Sequence, residues 1–576
     1  MIDQRGAGDP HLADDLRPQQ QGLTGVAPGC KRQIGPLRIC ANAHVTFSRR
    51  QNTYNAKELL PHPSMHDAAG SKLLQDWIAR AAARSPQKPW LIAADDGRTI
   101  DYARLREITG RFAAFLARRG IGPNDRVALL ADNSIEQLLC YFGVMAAGAT
   151  VCTIHIEMNR NQLPGILDRL KPKLILCQDG LRLDDMLAGA GSPRLPIGRY
   201  DTAVAGKLFG EISHYAPSTP ENPARPQDDA VILFTSGTSA KPKGVVLSFR
   251  EFLSNIDPLA EGFSISAADR LYDFRSFSWN SAQTLGGLAV VNQGATLVLA
   301  PKFSASRFFQ HLSDYGATVA TGNPTTINIL LNTQQPAHRD TLPKLRFMTS
   351  SSAPLLLEEW KKFEQRFGIP VAQGCGASEV SWIAAIAGER RRLGTVGRPL
   401  AYHDLAIVDG EGRRLPAGEI GHVELGGWPD HPFRYLAEDG ETRVHARGRF
   451  RTGDLGSLDT DGFLTLTGRE KELIIRGGAK ISPLEIDACL MQCAGVIEAA
   501  TVGVPDAVYG EEVVSYVVGR PGATLDTTAL LQHCADLLPA FKAPKRIVLA
   551  SALPKTERGK LDRKALVERW QSRSPD

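Results

Sequence analysis

Residues 229–244 read DAVILFTSGTSAKPKG, and how this stretch is read decides the fold. Asp229–Phe234 is a short, unbroken apolar run of the kind that forms a buried strand. After it the composition changes abruptly: Thr235, Ser236, Thr238 and Ser239 carry hydroxyls, Gly237 and Gly244 allow close backbone approach, and Lys241 and Lys243 bring positive charge around Pro242. In an α/β sheet, ligands sit beyond the carboxyl ends of strands, so a polar loop leaving the sheet edge here is placed to receive an anion. The common phosphate-loop pattern ends Gly-Lys-Ser/Thr, and this stretch lacks it. From the residues alone the loop reads either as a phosphate site or as a solvated Ser/Thr/Lys surface loop.

The flanking sequence supports an α/β fold. YARLREITGRFAAFLARRG (102–120) has apolar residues at helical spacing and ends at a glycine; RVALLAD (126–132) is a strand; SIEQLLCYFGVMAAG (134–148) is a buried helix. TVCTI (150–154), QLPGILDRLKP (162–172) and LILCQ (174–178) repeat the alternation, which predicts βαβ units and largely parallel sheets. A turn-rich β segment runs through GRFRTGDLGSLDTDGFLTLTG (448–468), after which the pattern restarts with KELIIRGGAKISPLEIDACL (471–490). The predicted organisation is a large N-terminal domain over 67–468, of mixed βαβ sheets sandwiched by helices, and a small mobile α+β domain over 469–576. Residues 1–66 are rich in Gly, Pro, Gln, Arg and Asp without periodicity, and are expected to be disordered or foreign to the fold, with Met65 as an alternative start.

Composition narrows the class. At 576 residues the chain exceeds one core, and with 43% hydrophobic and 22% charged residues it is an ordinary globular protein. A formal net charge of +5 with no basic cluster gives no reason to expect nucleic acid. Nine scattered cysteines without a CxxC pair predict reduced thiols and a cytoplasmic location, and no apolar run is long enough to span a membrane. Cys489 and Cys493, at i,i+4, are expected to share a helix face as packing residues rather than as half of a metal site.

Four further stretches carry chemistry: QGCGASEV (373–380), FRTGDLG (450–456), GREKELIIRGGAKISPLEID (468–487) and LPKTERGKLDR (553–563). Read singly, Asp454 in a Thr-Gly-Asp turn is a ribose ligand or a turn cap, and Ser378–Glu379 is a metal-binding pair or a helix N-cap with a first-turn acid. Lys560, in a loop rich in Thr and Gly, reads by itself as a solvated tail lysine. Together and in this order, the five stretches resemble the motifs of the adenylate-forming superfamily, which includes acyl-CoA synthetases, peptide-synthetase adenylation domains and luciferases.

The resemblance implies roles. Thr235, Ser236, Gly237, Thr238, Ser239 and Lys243 would hold the phosphates of ATP, with Cys375 and Gly376 beside the adenine and Asp454 and Arg469 on the ribose. Ser378 would bond the α-phosphate, Glu379 would ligate Mg²⁺, and Lys560 would bridge the substrate carboxylate and the α-phosphate. Lys471 falls at the hinge position and Gly478 at the glycine lining the pantetheine tunnel. The implied reaction is activation of a small carboxylic acid as its acyl-adenylate, then transfer to coenzyme A. The alternative is a stand-alone adenylation enzyme that loads a separate carrier protein, since the chain ends sixteen residues after Lys560. Departures are specific: Ala240 stands at a loop glycine, Cys375 at the adenine-stacking aromatic and Phe249 at a frequent histidine. In DFRSFSWNS (273–281), Ser278 or Trp279 occupies the usual acyl gate, and Arg275 is suited to a second carboxylate on the substrate or to a structural role. The sequence sets neither the acid nor the oligomeric state.

Overall fold

The computed structural model of the protein describes residues 70–155, 162–181, 191–235, 242–426, 432–556 and 560–572. The extension over 1–66, with Met65, and Ser236, Gly237, Thr238, Ser239, Ala240 and Lys241 of the phosphate loop lie outside them.

Two large sheets enclose the main core. An eight-stranded sheet runs in the order Thr442–Arg447, Pro432–Leu436, Lys243–Ser248, Asp229–Thr235, Thr150–Ile154, Arg126–Leu130, Leu174–Gln178, Arg194–Ile197. A nine-stranded sheet has a parallel interior, from Val371–Ala377 through Phe347–Ser350, Val319–Ala320, Arg270–Asp273 and Thr296–Leu299 to Pro89–Ala93, with antiparallel strands at its edges. Helices Tyr102–Arg118 and Ile135–Ala146 pack in the same core as Leu91 and Leu271 of one sheet and Val127 and Val231 of the other. Every residue of Ile135–Ala146 is buried, as expected for a helix that is apolar on nearly every face, with Glu136 and Gln137 the polar exceptions. Its start is set by Ser134, whose hydroxyl accepts from Gln137 N at 3.1 Å.

The remaining sheets build the far side of the site. Asp404–Val408, Gly421–Gly426, Phe450–Leu458 and Leu464–Arg469 form a four-stranded antiparallel sheet. Beyond a 3₁₀ turn at Glu470–Glu472, a five-stranded sheet contains Ala479–Ile481, Ile474–Arg476, Gly510–Gly519, Val496–Asp506 and Arg546–Leu549, with helices Pro483–Leu490 and Thr527–Leu537 completing a small α+β unit. The architecture is therefore the predicted one of a large mixed-sheet part and a small C-terminal part.

Two local expectations change. Asp229–Thr235 pairs parallel with Thr150–Ile154 on one side but antiparallel with Lys243–Ser248 on the other, Thr235 opposite Lys243, a local departure from the largely parallel pairing expected around the candidate phosphate loop. Cys489 lies on Pro483–Leu490, whereas Cys493 follows the end of that helix. Cys489 is buried in the same core as Cys534, with Cys493 packed against it. No group of three metal-ligating side chains occurs among the described residues.

Candidate active site

The part of the site that carries Asp454 is made by a strand distortion rather than by a turn. In Phe450–Leu458, His422 faces Leu455 and Glu424 faces Arg451, so Thr452, Gly453 and Asp454 stand opposite one residue of the neighbouring strand. This bulge is closed by Thr452 Oγ1, which donates to Val423 O at 3.1 Å and accepts from Asp454 N at 3.1 Å. Asp454 is then directly across from Arg469 on Leu464–Arg469, and Arg469 Nε lies 2.9 Å from Asp454 Oδ1. Burial raises the Asp454 carboxyl above its usual range, while Arg469 and Lys560 pull it back. Burial likewise pushes up the Cys375 thiol, with the Asp454 charge adding to the effect.

These side chains open into one cleft of about 250 Å³, lined by Cys375, Gly376, Asp454, Arg469 and Lys560. Lys560 arrives on a loop tied by the bridge between Lys555 and Leu561, with Thr556 N donating to Lys560 O at 2.6 Å and Lys560 N to Thr556 Oγ1 at 3.2 Å. The lysine at the chain's C-terminal end and the aspartate of the bulge are thus brought together across more than a hundred residues.

Ser378 and Glu379 lie in the turn of the hairpin Val371–Ala377/Ser381–Ala385, which rules out a helix N-cap there. Ser381 closes that turn at φ +60°, a left-handed conformation rare for serine. The orientation of Glu379 comes from a residue the motifs do not name. Tyr435 Oη donates to Glu379 Oε1 at 2.9 Å, and burial followed by the Glu379 charge raises the phenol's pKa. Lys243 Nζ is 5.7 Å from the centroid of the Tyr435 ring, so Tyr435 stands between the start of strand Lys243–Ser248 and Glu379. The adjacent Arg434 fixes the strand through ion pairs to Asp229 and to Glu251, the latter at 3.3 Å.

The large and small parts meet along helix Leu357–Phe367. Leu356 packs against the small part's core, and Lys362 Nζ donates to Met491 O at 3.1 Å. On the same helix, Glu359 is buried at the cleft wall and accepts from Asn328 Nδ2 at 2.7 Å. Burial pushes its carboxyl up to about 7, and Glu498 pushes in the same direction. The folded protein therefore holds this proton more tightly than the unfolded chain does. Stability is full below the unfolded value of 4.5 and falls as pH rises towards 7, by about 3 kcal/mol in total. Glu359→Gln is expected to melt with the wild type at pH 5 and several degrees above it at pH 8; equal midpoints at both pH values would contradict this.

Other sequence-predicted residues lie elsewhere. Lys471 and Gly478 are exposed and do not line the cleft. Gly477 and Gly478, at φ +56° and +85°, form the two-residue turn between Ile474–Arg476 and Ala479–Ile481, and a Cβ added at Gly478 would meet nothing within 4 Å. Arg275 is 2% exposed and already bound to Asp273, Nε–Oδ1 3.0 Å and Nη2–Oδ2 2.7 Å, which is the structural role open to it. Ser278 and Trp279 are half-buried. They border the site through Asn280, whose Nδ2 donates to Ser381 Oγ at 3.1 Å and to Ser378 O at 3.4 Å. Phe249 is buried in the main core.

Comparison with known proteins identifies the family. The AMP-binding enzyme family matches residues 78–428, and the AMP-binding enzyme C-terminal domain matches residues 485–560. A sulfoacetate–CoA ligase of Cupriavidus necator is 34% identical over 498 residues, covering 85% of this chain and 96% of its own. An oxalate–CoA ligase of Arabidopsis thaliana is 31% identical over 486 residues, 82% of this chain and 93% of its own. The crystal structure of ATP-bound MatB from Rhodopseudomonas palustris superposes with a TM-score of 0.78 at 28% identity, covering 86% of this chain and 99% of that one. With both family domains in order, and relatives matched along nearly their whole length, the chain belongs to the AMP-binding, adenylate-forming enzymes.

Proposed function

We propose that the protein is an ATP-dependent carboxylic acid–CoA ligase. The observation that carries this reading is the convergence of Asp454, Arg469 and Lys560 on one cleft beside Cys375. In the first half-reaction a carboxylate oxygen of the substrate attacks the α-phosphorus of ATP, the bond to the β-phosphate oxygen breaks, and pyrophosphate leaves. Asp454 holds the ribose, Ser378 meets the α-phosphate, and the Lys560 ammonium lies where negative charge passes from carboxylate to phosphate. In the second, the thiol of coenzyme A loses its proton and attacks the acyl carbonyl, and AMP departs. Relatives named as CoA ligases favour coenzyme A over a carrier protein as the thiol donor.

Glu379 fits one Mg²⁺ that keeps its other ligands from water and phosphate: it is a single carboxylate, held by Tyr435 through one oxygen only. The ion would neutralise phosphate charge. Tyr435→Phe should raise the Mg²⁺ concentration for half-maximal pyrophosphate exchange about three- to tenfold, and an unchanged Mg²⁺ requirement would remove Tyr435 from this role.

The second half-reaction needs Lys560 withdrawn and room for a thiol. The exposed Gly478 turn supports a rotation of the small part about Lys471 that exchanges the Lys560 loop for the Gly478 hairpin. We place the domain boundary near 468/469, at the end of Leu464–Arg469. The free cysteines among the described residues support a reducing, cytoplasmic setting. No helix among the described residues is long and apolar enough to cross a membrane.

The test is ATP/pyrophosphate exchange across a panel of carboxylic acids, with and without CoA. Acid-dependent exchange without CoA, and thioester with it, is the expected result. Exchange without CoA-thioester formation would shift the reading to a carrier-loading enzyme. The panel begins with small acids carrying a second acidic group, because two relatives are named for sulfoacetate and oxalate.

A further inference from the structure

The segment after strand Arg270–Asp273 holds three buried hydrogen-bond donors that have no partner: Arg275 Nη1, Ser278 Oγ and Trp279 Nε1. Guanidinium and indole N–H groups can only donate, and a buried donor without an acceptor is destabilising, so three within five residues call for an acceptor that the chain does not supply. Their positions are fixed. Arg275 is clamped by both oxygens of Asp273, and Asp273 also accepts from Thr321 Oγ1 at 2.8 Å. The helix over Ala282–Ala289 presses on this pair closely enough that a Cβ at Gly286 would stand 2.6 Å from Asp273 Oδ2 and would have to displace it. Asn133 holds the segment's backbone from the other side, accepting from Phe277 N at 2.8 Å and donating to Arg275 O at 2.8 Å.

The segment also abuts the reacting centre. Asn280 bonds to Ser378 O and Ser381 Oγ, the turn that carries Ser378 and Glu379. Through Asn280, residues 275–279 stand next to the turn that carries Ser378 and Glu379.

Resting on the ligase reading above, we propose that Arg275 Nη1, Ser278 Oγ and Trp279 Nε1 form a subsite for a second, acceptor-only anionic group at the far end of the substrate, a carboxylate or a sulfonate. Three donors match the two or three oxygens of such a group, and the charged guanidinium N–H strengthens the bonds. A methyl-ended acid of the same length would leave all three donors unpartnered, the condition under which polar sites reject apolar analogues most strongly.

The experiment measures kcat/KM in acid-dependent pyrophosphate exchange for oxalate, malonate, succinate and sulfoacetate against acetate, propionate and butyrate. Wild type should favour at least one anionic acid over its matched monocarboxylate by a hundredfold or more; comparing sulfoacetate with malonate tells sulfonate from carboxylate. Trp279→Phe and Ser278→Ala each remove one donor and leave the Asp273–Arg275 pair intact. Each should lower kcat/KM for the preferred anionic acid at least tenfold more than for the monocarboxylates, chiefly through KM. Asp273→Asn combined with Arg275→Gln removes the pair as a unit and should abolish the preference, with melting midpoints confirming that each variant folds. A wild-type preference for monocarboxylates, or equal losses on both series in Trp279→Phe and Ser278→Ala, would overturn the subsite while leaving the ligase reading intact. Exchange with no acid of either series would overturn the ligase reading and the subsite with it.

Discussion

Lys560→Ala is expected to lower acid-dependent pyrophosphate exchange about a thousandfold, roughly 4 kcal/mol of transition-state stabilisation. The lysine reaches the cleft from the last loop of the chain, and its charge acts on Asp454 across that cleft. Lys555, five residues earlier, also lines the cleft but is paired with Glu498 at 3.0 Å. The effect is confined to the step in which charge moves from carboxylate to phosphate. Thioester formation from a preformed acyl-adenylate should therefore stay within a few-fold of wild type. Equal loss of both half-reactions would mean that Lys560 shapes the cleft rather than the transition state.

Gly478→Trp is expected to do the reverse. In the arrangement described, the hairpin turn is exposed and a Cβ at Gly478 meets no atom within 4 Å, so a large side chain leaves the adenylation cleft untouched. The left-handed backbone there adds a modest strain, about 1 kcal/mol, which Gly478→Ala measures by itself. If the hairpin enters the site for the second half-reaction, the indole occupies the thiol's path. Displacing a reacting group by an ångström or more reduces rate about a hundredfold. Pyrophosphate exchange should persist in Gly478→Trp while thioester formation from acyl-adenylate falls by that factor. Unchanged thioester formation would show that this turn does not approach the site.

The contrast between these variants reflects what a sequence can carry. Strand–helix alternation from Tyr102 to Gln178 is readable because each element states its own period and caps, and the restart after Gly468 marks a further sheet. The polar cluster after Asp229–Phe234 was readable as a loop, but not that its strand returns antiparallel, because pairing with Lys243–Ser248 is a tertiary choice. In sequence Asp454 reads as part of a Thr-Gly-Asp turn, because the bulge it stands in is visible only against its partner strand. Tyr435 was missed for a related reason: Phe433 and Tyr435 look like any alternating strand, and the Glu379 that Tyr435 serves is 56 residues away. Glu359 has an ordinary amphipathic-helix context, and only packing against the cleft turns it into a titrating group near neutrality. For Arg275 the sequence leaves a substrate carboxylate and a structural role both open, and the carboxylate it holds in the fold is that of Asp273, two residues away.

The most direct test of acyl adenylation at this cleft is the product balance when the full-length protein is incubated with ATP, CoA and a turned-over acid. One AMP, one pyrophosphate and one acyl-CoA should appear per acid consumed, with the acyl-adenylate detectable by mass when CoA is withheld. Formation of ADP and orthophosphate, or thioester without AMP, would contradict the assignment.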